Sequence, residues 1–416
     1  LAIILLIFVT LATAYSLVVP ITQGEDELAH YRYIQFIAQT GRLPINSAER
    51  RQAWYRSDWP PLYHLLVGAA VSPLDTTQPV LKDVGQSPHR RLVGQIFYPR
   101  LIIYTEDAHW PWRDGILAWH IGRFMSIAFA AGALLFTYLT ALELSRGAGE
   151  FASLKSKGEK SPAPLPLRPS APLLALAVTA LLAFTPRFLF TSAMLSDDSL
   201  LILLSASFIW LLLRALRGSD SLWSYACLGL LLGLSMATKY STGLFPLALI
   251  PPVIWRKKRA GWRWLNALGR WFIAGIGLII GCGWWFGWVL WHFNTIKEDG
   301  FFFGLLSPVL ASGPDVSMRR VFSFFTGAPF AGAVRPAAIS EGAFNDWVAY
   351  LFQTFWGVPV LEHDPFQPWA YLVVLFLVLL ALWGLRNYWK SAPPTERITL
   401  GLLGLLVILL LPFPLL

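Results

Sequence analysis

Residues 24–41 read GEDELAHYRYIQFIAQTG, and they follow almost directly on the apolar run 1–19, LAIILLIFVTLATAYSLVV. The run has the length of a membrane crossing, about 20 apolar residues. The stretch after it opens with three acids, Glu25, Asp26 and Glu27. Leu28, Tyr31, Ile34 and Ile37 then recur every three residues, which predicts a helix over 27–40. Gly41 suits its C-terminal cap, and Pro44 prevents continuation. Acids in the first turn complement the positive end of the helix dipole. The expectation is a helix lying on the membrane surface with its apolar stripe down, and its acidic end at the mouth of a membrane protein.

Composition extends that reading to the whole chain. Its 416 residues are 56% hydrophobic and only 14% charged, against about 25% charged in soluble domains. A net charge of +9 would suggest nucleic acid as a partner in a soluble protein. Here many of the Lys and Arg fall in short links between apolar runs, where they set orientation, so no nucleic acid is expected. Cys227 and Cys282 both lie inside apolar runs and read as inert buried thiols. The chain opens on Leu1 and stops at Leu416 within an apolar run, so both ends are expected to be truncated.

Spans are expected near 1–19, 118–142, 171–190, 199–213, 222–238, 241–255, 270–291, 369–385 and 398–416. That makes about nine crossings of about 20 residues, two of them short. The basic links at 146–172, 214–221, 256–263 (RKKRAGWR) and 386–397 then share one side, the cytoplasm. The opposite side receives two long loops, 20–117 and 292–368, and short turns at 191–198 and at Lys239. The 146–172 link is rich in Ser, Pro and Lys and reads as a flexible linker. A second short apolar helix is expected over 61–71, in the interface or re-entrant. The 292–368 loop carries many aromatics, including Phe301, Phe302, Phe303, Trp347, Phe355 and Trp356, which suit the headgroup region. The fold expected is an all-α polytopic membrane protein in a single domain.

Candidate chemistry gathers at the outer ends of these spans. A carboxylate bonded by helix N–H groups stays ionised and can take a proton from an attacking alcohol, so Asp26 and Glu27 are candidate bases as well as caps. His30 is one turn from Asp26 and can orient it or contact an anion. Asp197 and Asp198, in LSDDSLL, sit in a short outer turn, as starters of the next helix or as site residues. Lys239 with Tyr240, and Arg123 in HIGRFMS, are either snorkelling anchors or phosphate holders. Trp59-Pro60-Pro61-Leu62-Tyr63 reads as a rigid aromatic turn. No Gly-rich nucleotide loop, paired metal-ligand histidines or Gly-x-Ser-x-Gly elbow is present.

Together these stretches resemble the GT-C-fold glycosyltransferases that use lipid-phosphate-linked sugars, including the protein O-mannosyltransferases and the aminoarabinose transferases. The resemblance rests on Asp26-Glu27-Leu28-Ala29-His30-Tyr31, Pro60-Pro61-Leu62-Tyr63, Gly122-Arg123-Phe124, Ser196-Asp197-Asp198, Thr238-Lys239-Tyr240 and Thr354-Phe355-Trp356-Gly357. It implies a GT-C helical bundle in the plasma (inner) membrane, with its site on the extracytoplasmic side. It implies inverting transfer of a sugar from a polyprenyl phosphate to a hydroxyl on a protein, lipid or glycan. Asp26 would be the base, with Glu27 beside it should the register slip by one. Asp197 or Asp198 would be a second acid, and Lys239, with Arg123, would face the donor phosphate. His30, Tyr63 and Tyr240 would contact substrate. A divalent metal is required in some relatives and not in others, and the sequence shows no compelling site. A transporter or flippase of a lipid-linked glycan is the competing class. Against it, charged residues are nearly absent from the middle of the spans, where a translocation path would place them.

Overall fold

The computed structural model describes the chain except residues 25, 55–56, 58, 79, 87–99, 105–107, 157–170, 219–220, 240–241, 243–244, 262, 294–367, 393 and 411–416. The expected outer loop 292–368, its Thr354-Phe355-Trp356-Gly357 segment, and Tyr240 therefore lie almost wholly outside the described residues.

The described elements are helical apart from one short ribbon. In chain order they are α1 Ala2–Val18, α2 Glu27–Thr40, α3 Ser47–Ala53, α4 Leu62–Val71, β1 Leu81–Gln86, β2 Arg100–Tyr104, α5 Asp114–Ser156, α6 Ala171–Ala183, α7 Pro186–Ala193, α8 Asp198–Arg217, α9 Leu222–Thr238, α10 Ile250–Ala260, α11 Trp264–Phe293, α12 Pro368–Ser391 and α13 Pro394–Leu410. β1 and β2 pair antiparallel, Leu81 opposite Tyr104 and Gln86 opposite Arg100. This ribbon is an addition to the first long loop that hydropathy did not suggest.

Four described helices are long and apolar enough to cross a membrane: Asp114–Ser145, Asp198–Arg217, Trp264–His292 and Trp369–Lys390. A fifth span results if α6 and α7 count as one, bent by 64°. Helices of this length and composition suit an integral membrane protein. The nine crossings expected from hydropathy are not reached among the described residues. α1, α9 and α13 have 17 residues each, about 25 Å of helix at 1.5 Å per residue, under the ~30 Å hydrocarbon core.

Several boundaries move for identifiable reasons. The expected 171–190 span breaks at Thr185, because Pro186 has no N–H to continue the ladder and instead occupies the first turn of α7. The expected short span 199–213 is a full 20-residue helix ending at Gly218; Arg214 and Arg217 are good helix formers and extend it. The expected 241–255 span is a tight 3₁₀ turn, Phe245–Leu249, followed by α10, which puts Pro251 and Pro252 in a first turn that tolerates them. Helix α5 continues to Ser156, so residues 146–156 of the expected flexible linker are helical, and residues 157–170 lie outside the described residues.

The helices expected over 27–40 and 61–71 both form. The former is not a surface helix with a single dry face. One side, Tyr31 and Ile34, packs with Tyr63, Val67, Val71 and Trp119 of α4 and α5. The other, Tyr33, Phe36 and Ile37, packs with Trp285 and Val289 of α11. Helix α2 is therefore clamped inside the protein. Elsewhere, α9 and α11 run in backbone contact. A Cβ on Gly281 would lie 2.7 Å from the Cα of Gly233, so only glycine fits that seam.

Candidate functional site

Asp26 and Glu27 are neighbours with opposite fates. Asp26 caps α2 from a left-handed conformation, φ 57°, a region that short polar side chains tolerate best after glycine. That turn sends Glu27 inward, where it is fully buried against Arg123 of α5. The pair is bidentate: Arg123 Nε donates to Oε1 and Nη2 to Oε2, both at 2.7 Å. Oε1 also accepts from Trp119 Nε1 and the Leu195 amide, and Oε2 from the Thr22 and Gly24 amides. Arg123 gives its other donors to the carbonyls of Ser16, Val19 and Pro20 at the end of α1. All five N–H groups of a guanidinium are thereby used. Burial opposes the charge on Glu27, but the Arg123 charge and the bonds from Arg123, Leu195 and Trp119 outweigh it. They hold the carboxyl below its ordinary value.

Two glycines permit this knot. A Cβ on Gly24 would come 2.7 Å from Glu27 Cγ, and a Cβ on Gly122 would collide with the Leu195 side chain. Gly122-Arg123 is thus one unit, its glycine seating the α7–α8 turn and its arginine gripping Glu27. The bond to the Leu195 amide ties the start of α2 directly to Ser196, Asp197 and Asp198.

Beside the knot lies a cavity of about 160 Å³. Asp26, His30, Arg187, Phe190, Thr191, Met194, Ser196, Asp197, Asp198 and Lys239 line it. Lys239 caps the end of α9 and reaches Asp198 Oδ1 at 2.7 Å and Asp197 Oδ1 at 3.5 Å. The Trp59 ring lies 5.7 Å from the Lys239 ammonium, within cation–π range. Asp197 is 1% exposed, and its Oδ2 has no hydrogen-bond partner among the described residues. Three carboxylates and two cations face one another here.

Of the residues singled out in the sequence, the cavity gathers Asp26, His30, Asp197, Asp198 and Lys239. It does not gather Glu27, Arg123 or Tyr63. Glu27 and Arg123, read as a candidate base and a candidate phosphate holder, lie outside the cavity lining, and their bonding capacity is taken up by each other and by the surrounding backbone and Trp119. Tyr63 is fully buried with its hydroxyl 2.8 Å from Ser126 Oγ, and it packs the layer behind the cavity. The reading of the sequence missed Arg187, on α7. It was hidden in an apparently straight span, and the Thr185-Pro186 break beside an arginine was the signal. Among the described residues no group of three or more His, Cys, Asp or Glu is placed to hold a metal ion.

Residues 171–303 match the model of the dolichyl-phosphate-mannose-protein mannosyltransferase family, a GT-C glycosyltransferase family. The resemblance read from the sequence is borne out over that stretch, which holds Arg187, Asp197, Asp198 and Lys239 and stops short of Asp26. No curated protein and no solved structure matches the chain.

Proposed function

We propose that this chain moves a sugar from a polyprenyl-phosphate donor to an acceptor hydroxyl at the extracytoplasmic face of the plasma membrane, with inversion. The observation that carries the reading is the cavity itself. Asp26 before α2, Arg187 on α7, Asp197 and Asp198 before α8, and Lys239 after α9 converge on one hollow. The family match over 171–303 supports the donor class.

Asp26 is the base. The acceptor oxygen attacks the anomeric carbon, its proton passes to the Asp26 carboxylate, and the bond to the phosphate oxygen breaks with its electron pair. A phosphate leaves as an anion and needs cations rather than an acid. Lys239 supplies one, since an ammonium has three donors and can keep Asp198 while taking a phosphate oxygen. Arg187 supplies the second in place of Arg123. Glu27 and Arg123 hold the two acid-bearing turns in register. The basic links at 214–221 and 256–263 support a cytoplasmic location for the opposite end of the bundle.

The full chain in lipid vesicles with radiolabelled polyprenyl-phosphate mannose and a membrane extract as acceptor tests this. Transfer releases polyprenyl phosphate and labels an acceptor, and Asp26→Asn abolishes it. Label that only changes leaflet identifies a flippase and overturns the proposal, as does wild-type turnover in Asp26→Asn.

A further inference from the structure

We infer that His64, which lines no part of the cavity, makes His30 the second proton acceptor of the site. This rests on the reading of Asp26 as the base. His30 faces the cavity one turn after Asp26 and is 2% exposed. Its Nδ1 lies 2.9 Å from Nε2 of His64, which is fully buried on α4. The two rings are nearly parallel, at 19°. A neutral imidazole carries one donor and one acceptor, so an N···N contact of that length holds one proton between the rings. On its other side, His30 Nε2 is 3.8 Å from Asp197 Oδ1. An imidazolium at His30 would therefore donate from Nδ1 to the lone pair of His64 and face, at ion-pair distance from Nε2, a buried carboxylate whose second oxygen has no partner among the described residues.

The charges around the pair favour an added proton. Asp26 and Tyr33 face it from α2 and its cap, Tyr63 from α4, Asp197 and Asp198 from the start of α8. Lys239 comes from the end of α9 and Arg187 from α7, with the Glu27–Arg123 pair behind. Three carboxylates against two cations leave the cavity one positive charge short, and a donor phosphodiester adds a further negative charge. Sugar transfer also generates a proton. The phosphodiester becomes a phosphate monoester with one more ionisable oxygen, and the hydroxyl proton must leave Asp26 before the next turnover. Passing from the Asp26 carboxyl to His30 Nε2, it rests on a ring whose Nδ1–H is accepted by His64, and it departs to water when product leaves. His64 acts through His30 and is a positioning residue.

The test uses the full chain in lipid nanodiscs with ¹⁵N-labelled histidine, titrated by NMR, comparing wild type, His64→Phe and His64→Gln. Phe keeps the ring packed on Tyr33 but accepts no hydrogen bond, so the His30 midpoint should fall by about one pH unit, a tenfold weaker proton affinity. Gln restores an acceptor and should recover most of the shift; His64→Leu replaces Phe should that variant not fold. In mannose transfer from polyprenyl-phosphate mannose, the acid limb of kcat should move the same way in His64→Phe, with KM for the donor unchanged. A His30 midpoint identical in wild type and His64→Phe overturns the inference. An inactive Asp26→Asn combined with a wild-type pH profile in His64→Phe removes the relay and leaves the base in place. An active Asp26→Asn removes the base, and the NMR titration still decides the relay.

Discussion

The knot around Glu27 and the cavity around Asp197 are built from the same kinds of group and differ in how fully those groups are satisfied. Glu27 receives six hydrogen bonds, two of them from a bidentate arginine. Asp197 is equally buried, yet one of its oxygens has no partner among the described residues, and its nearest cation lies at 3.5 Å. A saturated buried pair can only hold structure together, because any ligand would have to break it. An unsaturated one has capacity left for a substrate. The contrast sorts chemically similar residues into scaffold and site more sharply than residue type does.

The strongest way to break the comparison is at Arg123. Arg123→Ala strands the Glu27 carboxylate in the interior, and losing one partner of a buried pair costs about 3–5 kcal/mol. Little folded protein should be recovered in detergent, with a strongly lowered Tm. Asp26→Asn should do the reverse. Transfer should fall by roughly 10²–10⁴-fold, the usual range for a lost general base, while Tm stays at the wild-type value. Should Asp26→Asn unfold the protein, Asp26 would belong with the scaffold.

Lys239→Ala should weaken donor binding by roughly 10–100-fold, in keeping with about 1.5–3 kcal/mol for hydrogen bonds to charged groups. Equilibrium binding of polyprenyl phosphate measures it. Arg187→Ala should act in the same direction with a smaller loss of affinity, whereas Arg123→Lys should alter Tm rather than donor affinity.

The smallest effect is acid sensitivity. The Glu27 carboxyl is held below its ordinary value in the fold, since the bonds from Arg123, Leu195 and Trp119 exceed the opposing effect of burial. Its contribution is present above the unfolded-chain carboxyl range and is lost as pH falls through the depressed folded value. Tm of the wild type should therefore drop as the medium is acidified through that window. Glu27→Gln, less stable at neutral pH, should show a flatter dependence.

Much of the fold was legible in the chain. The three-residue recurrence of Leu28, Tyr31, Ile34 and Ile37, closed by Gly41, placed α2 to the residue. The apolar length of 61–71 placed α4. The candidate acids at 26, 197 and 198 and the lysine at 239 were visible as charges at the ends of apolar runs, where charge is rare. Less legible was the depth of each charge. Arg123 and Lys239 look alike in sequence, both polar breaks in apolar text, yet one is sealed behind α1 and the other meets a cavity. Arg187 escaped notice because hydropathy averages over the bend at Pro186, and His64 because a lone histidine in an apolar helix usually signals core.

Local patterning by itself determined where α2 and α4 lie and that the chain is made for a bilayer. These follow from backbone hydrogen bonding and side-chain transfer, which neighbouring residues settle. Which charges cancel and which remain open was decided only in three dimensions. Glu27 meets Arg123 across 96 positions and the Leu195 amide across 168. Ion pairing and hydrogen bonding act over a few ångströms of space, whatever the distance along the chain.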